Sequence, residues 1–431
     1  MKSKLFNIPV LAVAIALTTG SCVKDYVDPG RATEDQLVKD VKGLTGAATG
    51  LQRAYSVDRT NLYNRVTASG FLSNELFLLN QGNTAEFQLS VGGDELDGRN
   101  TLLAGLWSRS NKIIRDADLI ISSARDLSDQ SVAGGIIAYT TIFKALAIGD
   151  LAMFWEQVPN GTGENVTFIP RKEGYQRAIT AIDDALAAIA TNPISSAFLS
   201  SIPAGIDIPN TLQALKARYA LFAEDYELAL TAAQAVDLSK SSAFNYDALA
   251  QNPIFSQVTS TNNIWQPIDD TLGLPEGLQP DEEDKRVDFY LDINEEIAPR
   301  FRVGGFGSAL NQAWPIYLPG EITLIKAEAY ARQSSPDYTS ALAELNKVVT
   351  KSPEEDVFGV GADLGALGTL SPEDLLAAIY KHRSIELFMS GLRLEDSRRL
   401  GRPQSERKRN FVNYPFAERD QNSNTPADPA F

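Results

Sequence analysis

Histidine and cysteine are almost missing from this chain: its 431 residues hold one of each, His382 and Cys22. That scarcity excludes several chemistries. A Ser-His-Asp or Cys-His nucleophile needs a histidine base, and zinc sites built on histidine or cysteine need several ligands. A single cysteine cannot form a disulfide within its own chain. There is no G-x-S-x-G and no G-x-x-x-x-G-K-[ST] phosphate loop. Gly304-Gly305-Phe306-Gly307 lacks the third glycine of a dinucleotide fingerprint and reads as a flexible loop. Positive charge is also in short supply, with 39 Lys and Arg against 55 Asp and Glu and a net charge of −16. Nucleic acid and anionic lipid headgroups require a positive surface, so neither is expected as a ligand. The acidity itself speaks to solubility and names no partner.

The first residues do carry information. Lys2 and Lys4 precede an uninterrupted apolar run from Ile8 to Leu17, and Thr18-Thr19-Gly20-Ser21 leads into Cys22. A basic start, a short apolar run and small residues make a secretory signal over residues 1–21; a transmembrane helix needs about 20 apolar residues. Small residues followed by cysteine resemble a bacterial lipobox, in which cleavage leaves Cys22 as a lipidated N-terminus, although Thr19 stands where leucine is usual. The competing reading is an ordinary signal peptide with an incidental cysteine. Val23-Lys24-Asp25 resembles the lysine-plus-acid tag of surface lipoproteins in some Gram-negative bacteria. The expectation is a protein lipid-anchored at Cys22 to the cell outer membrane and exposed at the surface. Residues 22–34 would be its tether, punctuated by Pro29-Gly30. No later apolar run reads as long enough to span a bilayer, so attachment rests on lipid.

With 44% hydrophobic residues the rest of the chain can bury a sizeable core, read as a single domain over 35–431. Its apolar spacing is helical almost everywhere up to about residue 240. Tyr338, Ala341, Leu342, Leu345, Val348 and Val349 form one helical stripe. Tyr226, Ala229, Leu230, Ala233 and Val236 repeat it, as do Tyr175, Ala178, Ile179, Ile182 and Leu186. Each of these helices reads as opening with Tyr-x-x-Ala-[Leu/Ile]. Two of them follow alanine-rich helices in which Ala217, Ala220, Ala327, Ala329 and Ala331 leave room for a neighbour. Helical hairpins with small residues at the crossing and a tyrosine in the second helix are the tetratricopeptide pattern. The predicted fold class is therefore all-α, with stacked hairpins, irregular insertions and little β. Generic helix packing with chance similarity is the alternative.

Two segments break the helical period. Residues 240–318 carry Pro253, Pro267, Pro275, Pro280, Pro299 and Pro315, an acidic run Asp281-Glu282-Glu283-Asp284, and Trp265, Phe289, Tyr290, Phe301, Phe306, Trp314 and Tyr317. Residues 71–100 are a second irregular patch, with Phe71, Phe77 and Phe87. Long non-helical insertions in a helical scaffold are functional or disordered, and this aromatic content argues against disorder.

In this order of motifs the chain resembles the SusD/RagB family of outer-membrane nutrient-binding lipoproteins. The likeness runs through Leu106 to Asp118, Ile142 to Pro159, the hairpin at 212–236, and Leu318 to Tyr330. It ends in the segment 379–399, where Arg383, Glu386, Leu387, Gly391, Arg393, Asp396 and Arg399 match the family pattern and His382, Ser390 and Ser397 depart from it. Arg383 and Glu386 stand three apart on a helix and can pair on one face. Gly391 suits a left-handed helix end, and Ser371-Pro372-Glu373-Asp374 supplies the matching start. These charges read as structural, and His382 as a surface or packing residue. The resemblance implies a lid on a SusC-like TonB-dependent transporter that captures oligosaccharide or, in the RagB branch, peptide. It implies no cofactor and no catalysis. The chain is short for this family, which points to trimmed binding loops and a small ligand.

Three functions compete on the residues: a non-catalytic surface binding protein, a glycoside hydrolase working with two carboxylates, and a scaffold of hairpins. Sugars present C–H faces that stack on rings, so the candidate ligand-binding residues are Trp265, Phe289, Tyr290, Trp314 and Phe87; for each, loop packing is the competing role. Trp107 and Trp155 lie in helical motifs and read as core. The run Asp281–Asp284 lacks the alternating spacing and glycine of a calcium loop and reads as solvated, with no metal site.

Overall fold

The computed structural model describes residues 40–293 and 301–430. The leader, Cys22 and the tether lie outside them. The first helices are α1 (Val41–Ser56), α2 (Asn61–Leu72), α3 (Thr84–Val91), α4 (Thr101–Arg125) and α5 (Gln130–Phe154). A second group comprises α6 (Arg171–Thr191), α7 (Ser196–Leu199), α8 (Ile208–Phe222) and α9 (Tyr226–Gln234). After α10 (Lys285–Tyr290) come α11 (Pro319–Arg332), α12 (Tyr338–Val349), α13 (Pro372–Glu386), α14 (Arg393–Arg399) and α15 (Phe416–Gln421). Strands are short and come in four antiparallel pairs among the described residues. All lie in the two irregular segments except β2 (Gln157–Pro159) and β3 (Phe168–Pro170), which pair with each other. The mainly helical class read from periodicity is what forms.

Helix α5 is the centre of the fold. By length and composition it could cross a membrane, contrary to the expectation that no later run is long enough. In the structure it serves a different purpose: every residue from Val132 to Phe154 except Lys144 is buried. Helices α4 and α6 cover most of it, and α1 and α8 close the remainder. A helix apolar all round is stable in water only when surrounded in this way.

From α5 onwards the hairpins α5/α6, α8/α9 and α11/α12 stack side by side, and α13 packs on the last of them. Aspartates start most of their helices: Asp207, Asp225 and Asp337 each accept a first-turn N–H at 2.9–3.2 Å. Between α8 and α9 the turn is minimal. Glu224 adopts a left-handed φ of 64° while the Asp225 N–H bonds back to Ala220 O at 2.9 Å, a Schellman closure in which Asp225 also caps the next helix. The alanines expected at the crossings, Ala217, Ala220, Ala327, Ala329 and Ala331, are all buried.

The tyrosines are only partly equivalent. Tyr175 is buried and stacks on Tyr219 of α8, 5.7 Å between centroids, with Phe222 at 5.6 Å. Tyr226 leans on the same last turn of the next hairpin, under the Arg332 guanidinium at 5.1 Å. Tyr338 is 41% exposed, because the hairpin stack ends at α12. Tyr226 and Tyr338 open their helices, whereas α6 begins four residues before Tyr175.

The segment 379–399 ties the pieces together. Ser371 caps the Asp374 N–H at 3.2 Å and Pro372 occupies the first turn of α13, as its sequence dictates. Beyond Glu386 the chain reverses through left-handed Met389 (φ 56°) and Gly391 (φ 81°). The reversal overturns the pairing expected within the helix. Arg383 Nε donates to Asp396 of α14 at 2.8 Å, while Glu386 accepts from Arg286 at 3.2 Å and Lys351 at 2.9 Å. Asp396 also holds Arg399, which reaches Glu328 of α11; Glu395 takes Arg171 of α6; Arg393 meets Glu75 at 3.4 Å. His382 is buried beside this network, its Nδ1 accepting from Arg286 at 2.9 Å.

Burial first, then the Arg286 charge, hold His382 down at about 2. The unfolded chain takes up a proton on this residue below pH 6.5 while the folded chain does not, so acidification below 6.5 removes stability. Buried Asp150 acts in the opposite sense, because burial pushes its carboxyl up to about 6 and protonation there favours the fold. Replacing His382 with Gln should therefore flatten the loss of stability between pH 6.5 and 4.5 by about 1 kcal/mol per pH unit. Denaturant titrations of both proteins across that range check it, since Asp150 is common to both.

Candidate ligand-binding site

The two irregular segments meet. Strand β1 (Leu76–Leu78), from the first, pairs antiparallel with β5 (Trp265–Pro267), from the second, in the register Leu76↔Pro267, Phe77↔Gln266 and Leu78↔Trp265. The N–H of Leu79 extends the ladder to Ile264 O at 2.9 Å. Alternation along β1 buries Leu76 and leaves Phe77 44% exposed. Opposite Phe77, the Gln266 side-chain Oε1 accepts from Arg302 of β7 (Phe301–Val303), the strand that pairs with β6 (Leu291–Ile293). Just past β1, Asn80 Nδ2 donates to Asn263 Oδ1 at 3.0 Å and Asn83 Nδ2 to Asn263 O at 3.1 Å. An exposed ring, a guanidinium and three amides thus share one rim.

The aromatic residues singled out from sequence mostly do other work. Trp265 is buried and its Nε1 donates to Thr67 of α2 at 3.2 Å. Tyr290 is buried, with its hydroxyl on Glu386 O at 2.6 Å and its ring edge-on to Phe289 and Phe388. Trp314 is 4% exposed, in the β8 (Trp314–Pro315) pair with β4 (Ala243–Phe244), against Phe306. These three do not offer ring faces to solvent, contrary to expectation. The void beside Trp314 is about 30 Å³, room for water and not for a sugar ring. Phe289 is half-buried under the Gly304–Gly307 turn, where left-handed Gly305 (φ 49°) brings backbone onto its ring. That turn is tightly packed, not a flexible loop. Phe87 is half-buried on α3. In the acidic run, Asp284 is buried against Arg286 and Asp281 pairs with Lys381 at 2.8 Å.

The open space lies elsewhere, along α4. A polar groove of about 460 Å³ runs between α2, the start of α3 and α4, lined by Arg59, Asn64, Asn83, Glu86, Gly105 and Arg109 among others. Glu86 is held by Arg59 and by the Tyr63 hydroxyl at 3.1 Å. Arg109 is exposed and forms no ion pair among the described residues. Asn64 is 3% exposed; its Nδ2 donates to Leu102 O at 3.2 Å, and its Oδ1 is buried with no partner among the described residues. A second groove of about 450 Å³ follows the other flank of α4, bounded by Trp107, Ser108, Asn111 and the C-terminal α15. Trp107 and Trp155 are core residues as expected: Trp107 stacks near Phe168 and meets Trp155 edge-on. Sequence reasoning named Phe77 in the segment 71–100 without selecting it as a candidate and passed over Arg109. Alternation in a short strand was the signal available for the first.

No protein-family sequence model matches the chain, and no curated protein sequence matches it. Solved structures do. A SusD superfamily protein of Bacteroides fragilis is 15% identical with a TM-score of 0.66, over 88% of this chain and 97% of its own. One from Bacteroides vulgatus is 13% identical with a TM-score of 0.68, over 90% and 98%. A SusD-like carbohydrate-binding protein of Bacteroides fragilis is 16% identical with a TM-score of 0.64, over 85% and 87%. The chain has the SusD-like fold. It spans the first two nearly end to end, so it is not short beside them.

The burial of Trp314 fixes what its removal does. Trp314→Ala should cost about 3–5 kcal/mol of stability, as for other core aromatics, and leave the affinity for any ligand of the α4 grooves within about twofold. A thermal melt beside a calorimetric titration reads both; an unchanged melt with lost affinity would return Trp314 to the binding surface.

Proposed function

We propose that this protein is a non-catalytic, lipid-anchored nutrient-binding protein of the outer-membrane surface. It takes oligosaccharide into the polar groove between α2, α3 and α4 and passes it to a TonB-dependent transporter. The observation that carries the ligand reading is the lining of that groove. Sugar hydroxyls both donate and accept, and the groove offers them Arg109, which forms no ion pair among the described residues, and the Asn83 amide, which is bonded to the neighbouring Asn263. Phe77, which shares a rim with these amides, presents a ring face of the kind on which a sugar C–H face stacks. Hydrolysis of a glycoside calls for two carboxylates; among its described lining residues the groove has Glu86 alone, engaged by Arg59. That favours binding over catalysis. The fold is shared with a protein named as carbohydrate-binding, which agrees with this choice of ligand. Anchoring at Cys22 and the transporter partner follow from the leader and the family likeness.

Titration against glycan and peptide libraries tests the ligand. For the sugar that binds, Arg109→Ala should weaken affinity about tenfold, the value of a charged hydrogen bond, and Phe77→Ala about fivefold. Binding of peptides alone would replace sugar with the peptide reading. For location, wild-type protein should sediment with outer membranes and bring down a TonB-dependent barrel on gentle solubilisation, while Cys22→Ala should appear in soluble fractions. A Cys22→Ala protein that stays in the membrane would end the lipid-anchor reading.

A further inference from the structure

The two grooves along α4 share two lining residues, Thr101 and Gly105. Thr101, Gly105 and Ser108 stand at i, i+4 and i+7, so they form one row along the helix. Leu102 and Arg109 fall on one flank of that row; Ala104, Trp107 and Asn111 fall on the other. The row is therefore the crest that separates the grooves, and its residues are small. It is lowest at Gly105. A Cβ built there has one neighbour within 4 Å, the Asn64 Nδ2 at 3.3 Å, and otherwise faces open space.

We propose that the ligand track does not end in the polar groove but crosses α4 at Gly105 into the second groove, so that the ligand is an extended oligosaccharide and its length is read at this crossing. The inference rests on the sugar-binding reading above. On the near side of the crossing lie the exposed Arg109 and the Asn83 amide. On the far side the hydrogen-bonding groups are amides. Asn111 gives its Nδ2 to Trp107 O at 3.0 Å, leaving Oδ1 free, and Gln421 is exposed without a partner among the described residues. Glu418 of α15 does not add a reactive carboxylate. One oxygen accepts from Trp107 Nε1 at 3.0 Å and the other from Asn422 Nδ2 at 2.9 Å, which fixes α15 as the wall of the groove. Each groove alone has the volume of a small-ligand site, and the pair joined over Gly105 suits a chain of several sugar rings. Amides and hydroxyls on both sides of a low crest, with Arg109 on the near side, match a repeating polymer whose hydroxyls recur at every unit. Glycine within a 25-residue helix otherwise costs about 1 kcal/mol against alanine.

The test uses the full-length protein in mild detergent and ladders of gluco-, xylo- and manno-oligosaccharides from disaccharide to octasaccharide. For the ladder that binds, affinity should rise about tenfold or more from the disaccharide to the longest chain. In Gly105→Leu, where a branched side chain rises from the crest, that ratio should fall to near one. In Gly105→Ala, which makes the same contact with Asn64 but adds no height, the ratio should stay close to the wild-type value. Asn111→Ala combined with Gln421→Ala should lower the ratio with the crest intact. Circular dichroism of each variant checks the fold. The inference is overturned by an affinity that does not depend on length, by a ratio that survives Gly105→Leu, or by equal losses in Gly105→Leu and Gly105→Ala at every length. The last result would make Gly105 a packing residue against Asn64. If no ladder binds, this inference falls, while the sugar reading is decided separately by the glycan library.

Discussion

Glu386 lies fully buried between two cations, Arg286 and Lys351, and much of the fold hangs on such contacts. A charge taken out of water is tolerated only when an opposite charge and hydrogen bonds replace the water it loses. In the 383–399 segment those partners come from distant parts of the chain: Glu75 before β1, Arg171 on α6, Arg286 on α10, Glu328 on α11 and Lys351 after α12. Each must arrive at its place for the others to be satisfied. Apolar packing alone would let helices slide against one another; paired buried charges remove that freedom, because a shift of one residue leaves an ion unpaired. The network thereby decides where the irregular segments sit on the hairpin stack.

That placement sets the rim of the candidate site. Arg393 anchors Glu75, Glu75 leads into β1, and β1 pairs with β5, so the rim bearing Phe77, Asn80, Asn263 and Arg302 is set by charges buried well behind it. The large aromatics of the second segment serve the same end from the inside. Trp265, Tyr290 and Trp314 fill the space between insertion and scaffold, where ring area contributes most when it is wholly removed from water. What remains along α4 is polar and open.

The resemblance to other SusD-like structures persists although few residues are shared, and the reason lies in what is retained. Helical spacing of apolar residues, small residues at the crossings and aspartate caps can be met by many sequences. Grooves between the helices depend on individual side chains, so the same fold can carry different ligands. The fold therefore says little about the ligand; the side chains lining the grooves, such as Arg109, say more.

The sequence by itself determined the helical class, the alanine crossings, the helix start at Ser371, and the structural nature of the charges near residue 390. These follow from periodicity and local hydrogen bonding, which act over a few residues. It also located the two irregular segments. It could not say which aromatics would face water, because Trp265 and Trp314 are exposed or buried according to partners dozens to hundreds of residues away, such as Thr67 and Phe244. For the same reason Arg383 was matched to Glu386 within its helix, when the reversal at Met389 and Gly391 delivers Asp396 instead. Tertiary structure alone decided the site. A groove is made by the gap between elements, and a gap leaves no mark on the local pattern of a chain.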